Sequence, residues 1–368
     1  MNASQENTLA TLSGDALEDT RIRRSKMQSP LITLAHGGGG KAMRELIDDV
    51  FIAAFSNPTL NTLEDQARVP LTELARFGDR LAMTTDSYVV DPIFFPGGDI
   101  GKLAVCGTVN DLAVGGATPL YLTCAVIIEE GMQVETLRRI VGSMAETARA
   151  AGVSIVTGDT KIVGRGSCDK IFINTAGVGV IHQDHQLGAN HARPGDRILV
   201  NGYLGDHGAT ILNARGEMHL SSPIQSDCAA LHGLISTLLA AAPGTRFIRD
   251  ATRGGIASVL NEIAEASACA IEIHEASTPI RQEVKGFCEI LGLDPLYLAN
   301  EGKLAAVVPE GEAEAALQAL RGHPLGREAA DIGAVLTGGR AGRVHMQTVF
   351  GGRRIVDMLI GEQLPRIC

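Results

Sequence analysis

Apolar positions recur along this chain in two rhythms, and the rhythm changes from element to element. Between residues 43 and 55 they fall at Met43, Leu46, Ile47, Val50, Phe51 and Ala54, the spacing of one face of a helix. Val134–Ala151 repeats that pattern more strongly, and Gly152 stops it. Ile100–Gly115 differs: Leu103, Ala104, Gly107, Leu112 and Ala113 are small or apolar, which predicts a buried helix. Leu81–Val90, Tyr121–Ile128, Val153–Thr157 and Ile171–Val180 read as strands. The polar stretch His182–Pro194 then interrupts the pattern. Beyond it, Asp196–Asn201 and Leu304–Val308 read as strands. His207–Arg215, Asp227–Ala241, Gly254–Ala266 and Glu312–Leu320 read as helices, and Arg354–Ile360 as a last short strand.

This alternation predicts two mixed α+β domains, 31–185 and 186–360. Residues 1–30 are polar, carry the basic cluster Arg21-Ile22-Arg23-Arg24, and read as a disordered extension. Residues 361–368 read as a mobile tail ending in Cys368. No apolar h-region opens the chain and no stretch approaches the roughly 20 apolar residues of a membrane span, so a cytoplasmic location is expected.

Composition narrows the function. With 368 residues, 45% of them hydrophobic, the chain has ample material for a core. Forty-three glycines and no tryptophan suit glycine-rich ligand loops rather than aromatic stacking on bases. A net charge of -10 argues against nucleic acid or an anionic membrane as partner. Cysteines 106, 124, 168, 228, 269 and 288 show no CxxC or Cys/His spacing and read as small buried hydrophobes. The seventh, Cys368, is the last residue. A terminal thiol on a mobile arm can carry a covalently attached group.

Four acidic positions stand where elements meet glycine or a helix start: Thr84-Thr85-Asp86-Ser87, Asn110-Asp111, Thr157-Gly158-Asp159-Thr160 and Asp250-Ala251-Thr252-Arg253-Gly254-Gly255. Aspartate also caps helices and turns. Asp111 resists that explanation because it lies in an apolar stretch, where an unpaired charge is expensive. Converging carboxylates would hold magnesium, which shares its oxygen shell with nucleotide phosphates. His36-Gly37-Gly38-Gly39-Gly40-Lys41 precedes the first helix and lets backbone N–H groups approach phosphate, although Ala42 breaks the Walker A pattern. Lys161 follows Asp159-Thr160, and Glu301 stands just before a strand in Asn300-Glu301-Gly302-Lys303.

Taken with the terminal Pro365-Arg366-Ile367-Cys368, these motifs resemble the HypE family of hydrogenase maturation factors. That family lies in the aminoimidazole ribonucleotide synthetase (PurM-like) superfamily, and the resemblance runs from about Leu31 to Cys368. It implies a PurM-like two-domain fold with an N-terminal domain forming half of a dimeric β-barrel, a C-terminal α/β sandwich, and a flexible tail. It implies ATP-dependent dehydration of an S-carboxamide on Cys368 to a thiocyanate, which supplies cyanide to a [NiFe]-hydrogenase iron. The implied partners are a HypF-type carbamoyltransferase, a HypC–HypD-type iron scaffold and a second copy of the chain. By the same resemblance Asp86, Asp111, Asp159 and Asp250 bind Mg2+, while Gly37, Gly38, Gly39, Gly40, Asn110 and Thr160 hold ATP. Glu301 would then accept a proton, with Lys161 stabilising charge. The alternatives are another ATP-dependent kinase or synthetase of the superfamily and a non-catalytic nucleotide-sensing adaptor. Selenide–water dikinases fit poorly, since they use a catalytic cysteine or selenocysteine near the N-terminus and the first cysteine here is Cys106.

Overall fold

The computed structural model describes residues 26–216, 222–361 and 366–368, so most of the extension expected at 1–30 lies outside the described residues. Order begins earlier than Leu31. Met27 N donates to Asp49 Oδ2 at 2.9 Å, and Pro30 O accepts from Val134 N at 2.9 Å.

A helical stretch opens the first domain as Lys41–Leu46 (α1), a π-helical segment Ile47–Ile52, and Ala53–Phe55 (α2). Leu71–Leu74 (α3) leads to β1 (Arg80–Tyr88), followed by a small ribbon of β2 (Phe94–Phe95) and β3 (Gly98–Asp99). Then come α4 (Ile100–Val114), β4 (Ala117–Glu129), α5 (Val134–Ala150), β5 (Ser154–Val163) and β6 (Ile171–Ile181). The sheet runs β1-β6-β4-β5, antiparallel except for the β4–β5 pair that α5 connects. Val134, Leu137, Ile140, Val141 and Met144 are buried on one face of α5, as their spacing requires. Asp99 caps α4 by accepting from Gly101 N and Lys102 N at 2.7 and 3.1 Å. The burial expected for α4 is present, and Gly107 permits it: a Cβ there would lie 2.2 Å from Tyr88 Oη.

The second domain comprises β7 (Arg197–Val200), α6 (Asp206–Ala214), α7 (His232–Ala241), β8 (Phe247–Asp250), α8 (Gly255–Ala266) and β9 (Ala270–His274). It continues with α9 (Gln282–Leu291), β10 (Leu304–Val308), α10 (Glu310–Gly322), β11 (Ala330–Val335), β12 (Arg343–Gln347) and β13 (Arg353–Val356). The sheet order is β13-β12-β9-β11-β7-β10-β8. Helices cover both faces. Ala305 and Val307 of β10 pack with Ile256 and Leu260 of α8, whereas Leu304, Ala306 and Val308 pack with α7 and α10. All five β10 residues are buried, which explains the unbroken apolar run in its sequence.

Helix α7 begins at His232 rather than Asp227. The preceding residues are held extended by other partners: Asn110 of α4 donates to Ala229 O at 3.0 Å and accepts from Leu231 N at 2.7 Å. Helix α4 thus joins the domains, and its Ala113 lies in the core of the second one. Among the described residues no helix is long and apolar enough to cross a membrane.

Candidate active site

Asp86, Asp111 and Asp250 come from three elements, and the fold brings them to one cavity of about 550 Å³ at the junction of the domains. Asp86 is near the end of β1, Asp111 near the end of α4, and Asp250 is the last residue of β8. Thr84 Oγ1 donates to Asp111 Oδ2 at 2.8 Å. Burial pushes the Asp111 carboxyl above its ordinary value, with the Asp86 charge adding to it and the Thr84 hydroxyl opposing. Asp250 is 9% exposed; burial first, then the Asp111 charge, pushes it up to about 7. Arg249 and Arg253 line the same cavity.

Glu301 stands behind these acids. It is 3% exposed, and its Oε1 has no hydrogen-bond partner among the described residues. Its backbone N and that of Gly302 donate to Asp227 at 3.0 and 3.3 Å, and Lys303 Nζ pairs with Asp227 at 3.3 Å. Gly302 lies so close to this loop that a Cβ would stand 2.0 Å from Asp227 O. Burial pushes the Glu301 carboxyl well above its ordinary value, and the charges of Asp227, Asp250 and Asp86 push the same way. These effects favour the protonated carboxyl over the charged form that a proton acceptor needs.

Asp159 departs from the expected cluster. The β5 strand continues past Thr157 to Val163, so Asp159 lies within an edge strand rather than at a strand end. Across the ladder Asp86 pairs with Thr175, Thr175 with Cys124, and Cys124 with Gly158. Asp159 is thus at the far edge of the sheet from Asp86, three strand spacings or about 14 Å away. It also points to the opposite face, since neighbouring residues of a strand alternate. Lys161 Nζ pairs with both Asp159 oxygens at 3.0 and 2.8 Å and holds that carboxyl below its usual range. Among the described residues no three His, Cys, Asp or Glu side chains, the three clustered acids included, stand close enough to hold a metal ion without further ligands.

The glycine loop accompanies Asp159, not the three clustered acids. Leu34–Gly37 forms a 3₁₀ turn, and a Cβ on Gly37 would lie 3.1 Å from Ile162 of β5. Gly37, Gly38, Gly39 and Gly40 are exposed, whereas Thr160 is buried. An apolar cavity of about 160 Å³ separates β5 from the helix above it, lined by Met43, Ile47, Phe51, Cys124, Asp159 and Thr160 among others. Asn110 is not a ligand-facing amide. It is 2% exposed and bonds the backbone of the second domain at both ends, which corrects the nucleotide contact expected of it.

The end of the tail is docked, contrary to the mobile arm expected from Gly361; residues 362–365 lie outside the described residues. Val89 N donates to Cys368 O at 3.1 Å and Asp91 N to Arg366 O at 3.2 Å. Ile367 is 4% exposed in the first domain's core, with Cys368 packed against the same cluster. Arg366 pairs with Asp169 and reaches Asp91 at 3.8 Å, while Arg215 Nη2 donates to Arg366 O at 2.9 Å. The buried Ile367 side chain, between the hydrogen-bonded Arg366 and Cys368 carbonyls, is the physical reason it stays down. Docking sets the Cys368 carbonyl against Val89, the residue that follows β1.

Sequence reasoning missed Asp227 and His207. His207 follows a glycine-flanked turn, Gly205-Asp206-His207-Gly208, of the kind that exposed the aspartates. Asp227 had no local signal, because its partners are more than 70 residues away.

Comparison with known proteins accords with this geometry. Residues 64–181 match the family model of the AIR synthase related protein N-terminal domain, and residues 193–345 that of the C-terminal domain. The chain is 62% identical over 337 residues to carbamoyl dehydratase HypE of Rhodobacter capsulatus, covering 92% of this chain and 98% of that one. It is 55% identical over 337 residues to the Escherichia coli (strain K12) protein of the same name, covering 92% and 99%. A crystal structure of the hydrogenase maturation protein HypE in complex with ATP superposes with a TM-score of 0.87 at 51% identity, covering 91% of this chain and 99% of that one. A HypE–HypF complex matches with a TM-score of 0.74 at 46% identity, covering 87% and 100%.

Proposed function

The chain belongs to the HypE family of carbamoyl dehydratases, and on that premise we propose how its own residues carry out ATP-dependent dehydration of a Cys368 S-carboxamide in hydrogenase maturation. The observation that carries the reading is the docked tail, in which Val89, directly after the strand β1 that carries Asp86, holds the Cys368 carbonyl. The carboxamide oxygen is a poor leaving group. Transfer of the γ-phosphoryl group onto it, followed by loss of two N–H protons and of phosphate, leaves the nitrile on sulfur.

Asp86, Asp111 and Asp250 offer only oxygen ligands to one cavity, and burial raises two of them, so with phosphate oxygens completing the shell they suit magnesium. Bound there, magnesium would neutralise charge on the transferring group. Compensating Asp86 and Asp250 would remove two of the smaller effects that raise the Glu301 carboxyl, after burial and Asp227, and so ease its acceptance of an N–H proton. Its closed surroundings keep water from the reacting carbon.

Lys161, Asp159 and the Gly37–Gly40 loop join this site from a second copy of the chain. In support, the outer face of the four-stranded sheet leaves Leu81, Met83 and Ile127 exposed at 55%, 77% and 41%. Both edge strands are open to pairing. Closing two such sheets into a barrel would bring the partner subunit's Asp159 and the partner subunit's Lys161 to the acids of β1 and β8. A HypF-type carbamoyltransferase loads Cys368, and a HypC–HypD-type scaffold receives the cyano group. The test is the mass of the Cys368 peptide after incubation with carbamoyl phosphate, ATP, magnesium and a HypF-type protein. A carbamoyl adduct that loses the mass of water is expected. An adduct that persists in the presence of ATP would contradict the proposal.

A further inference from the structure

His207, the second residue of α6, is fully buried and belongs to neither the acidic cavity nor the nucleotide loop. Its ring stands between two partners. Nε2 lies 2.7 Å from Ile367 O, and Nδ1 lies 2.8 Å from Ser226 Oγ. A peptide carbonyl only accepts, so Nε2 carries the proton and Nδ1 accepts from the Ser226 hydroxyl. Ser226 is itself fixed: its N donates to Pro96 O at 2.9 Å, and its Oγ accepts from Cys228 N at 3.1 Å. Phe95 meets the imidazole edge-on at 5.6 Å between ring centres. Burial holds the imidazole below its ordinary range, which keeps the ring neutral and preserves this one-way arrangement.

The bonded carbonyl belongs to the peptide unit that joins Ile367 to Cys368. That unit is planar and includes the nitrogen and Cα of the cysteine. Fixing its oxygen therefore fixes the base of the thiol-bearing side chain. The Ile367 side chain is anchored in the core beside this bond, and further hydrogen bonds hold Arg366 and the terminal carbonyl of Cys368.

We propose that His207, oriented by Ser226, is the positioning residue that sets the reach of Cys368 into the dehydration site. This rests on the carrier reading above. His207 touches no reacting atom. It acts by selecting the docked geometry of the last peptide unit. A second consequence follows from its burial: the imidazole is covered by the tail, so leaving the site exposes an otherwise enclosed donor. Loading by the carbamoyl donor takes place with the tail released and does not use this contact.

The experiment compares wild type with His207→Leu, His207→Gln and Ser226→Ala in the full chain. Glutamine can place an amide N–H near the position of Nε2, so it restores the donor without the acceptor. Three readouts are taken: carbamoyl transfer to Cys368 by a HypF-type protein, the rate of thiocyanate formation on isolated carbamoylated protein, and the alkylation rate of unmodified Cys368 by iodoacetamide. For His207→Leu we expect normal carbamoyl transfer, at least tenfold slower thiocyanate formation at saturating ATP, an unchanged KM for ATP, and at least tenfold faster alkylation. His207→Gln should recover most of both losses. Ser226→Ala keeps the ring and decides the matter should His207→Leu not fold; it should slow dehydration at least threefold, with faster alkylation. Wild-type dehydration and alkylation rates in the folded variants would overturn the proposal alone. Absence of any carbamoyl mass on wild-type Cys368 would overturn the carrier reading and the proposal together.

Discussion

Replacing Asp250 with asparagine should make the ligand-free protein more stable, by an amount that grows from about pH 4 to about pH 7 and then levels off. A carboxyl raised in the folded state from 3.8 to about 7 binds its proton more tightly there than when unfolded. Between those values the folded state holds the extra proton, so stability falls as pH rises through that window and levels off above about 7. At 1.36 kcal/mol for each pH unit, the charged side chain costs about 4 kcal/mol in the folded protein at pH 8.5. Asparagine is close in size, carries no charge, and spares Glu301 one of its repelling neighbours. The difference in unfolding free energy between variant and wild type should therefore grow by up to about 4 kcal/mol from pH 4 to pH 8.5. The measurement is urea unfolding in EDTA at several pH values. Magnesium–ATP should raise the wild-type Tm and have little effect on the variant. A stability difference that does not vary with pH, or a variant less stable at pH 8.5, would refute the reasoning.

Further outcomes follow from the same geometry. Glu301→Gln should bind ATP near normally yet accumulate the carbamoylated Cys368, seen by peptide mass; complete conversion would remove Glu301 from the chemistry. Mixing Asp159→Asn chains with Asp250→Asn chains under exchange conditions should restore up to half the activity of the heterodimers, because one of the two composite sites is then intact. Activity no higher than that of the parents would argue for a site within one chain. Gly107→Ala would press a methyl group to 2.2 Å from Tyr88 Oη and should cost about 1–3 kcal/mol by overpacking, read as a fall in Tm. Magnesium–ATP affinity should weaken as pH falls below about 7, where Asp250 becomes protonated; an affinity constant from pH 6 to 8 would place the cation elsewhere.

The elements that sequence made legible are those with long, one-sided patterns. Helix α5 has its apolar face at the predicted positions, and α4 is buried as its composition requires. The short strands β8, β9, β11 and β12, of four to six residues, offer too few positions for a period to emerge, and α9 was likewise not anticipated. At the site, Asp86, Asp111 and Asp250 could be singled out because they stand near element ends, and Asp111 because it lies inside an apolar stretch. Their separation from Asp159 could not, since it depends on strand order: β5 lies at the opposite edge of the sheet from β1. Asn110 misled because a polar residue in an apolar helix signals burial with partners, and local sequence does not say whether those partners are ligand or backbone. The docked tail was hidden for a similar reason, as Ile367 finds its core more than 100 residues away.

The burial of Ile367 also bears on how the protein meets its partners. Lifting that side chain into water costs about 1.5–3 kcal/mol. Losing the four hydrogen bonds to Val89, Asp91, Arg215 and His207 adds about 1 kcal/mol each. The arm would then be extended in roughly one molecule in ten thousand or fewer, at 1.4 kcal/mol for each factor of ten. A protein that grasps only the extended arm would find its affinity lowered by the same factor. Recognition by a carbamoyl donor must then draw most of its strength from surfaces other than the arm. Retraction afterwards would be spontaneous, returning the loaded cysteine to its own catalytic pocket without any further input of energy.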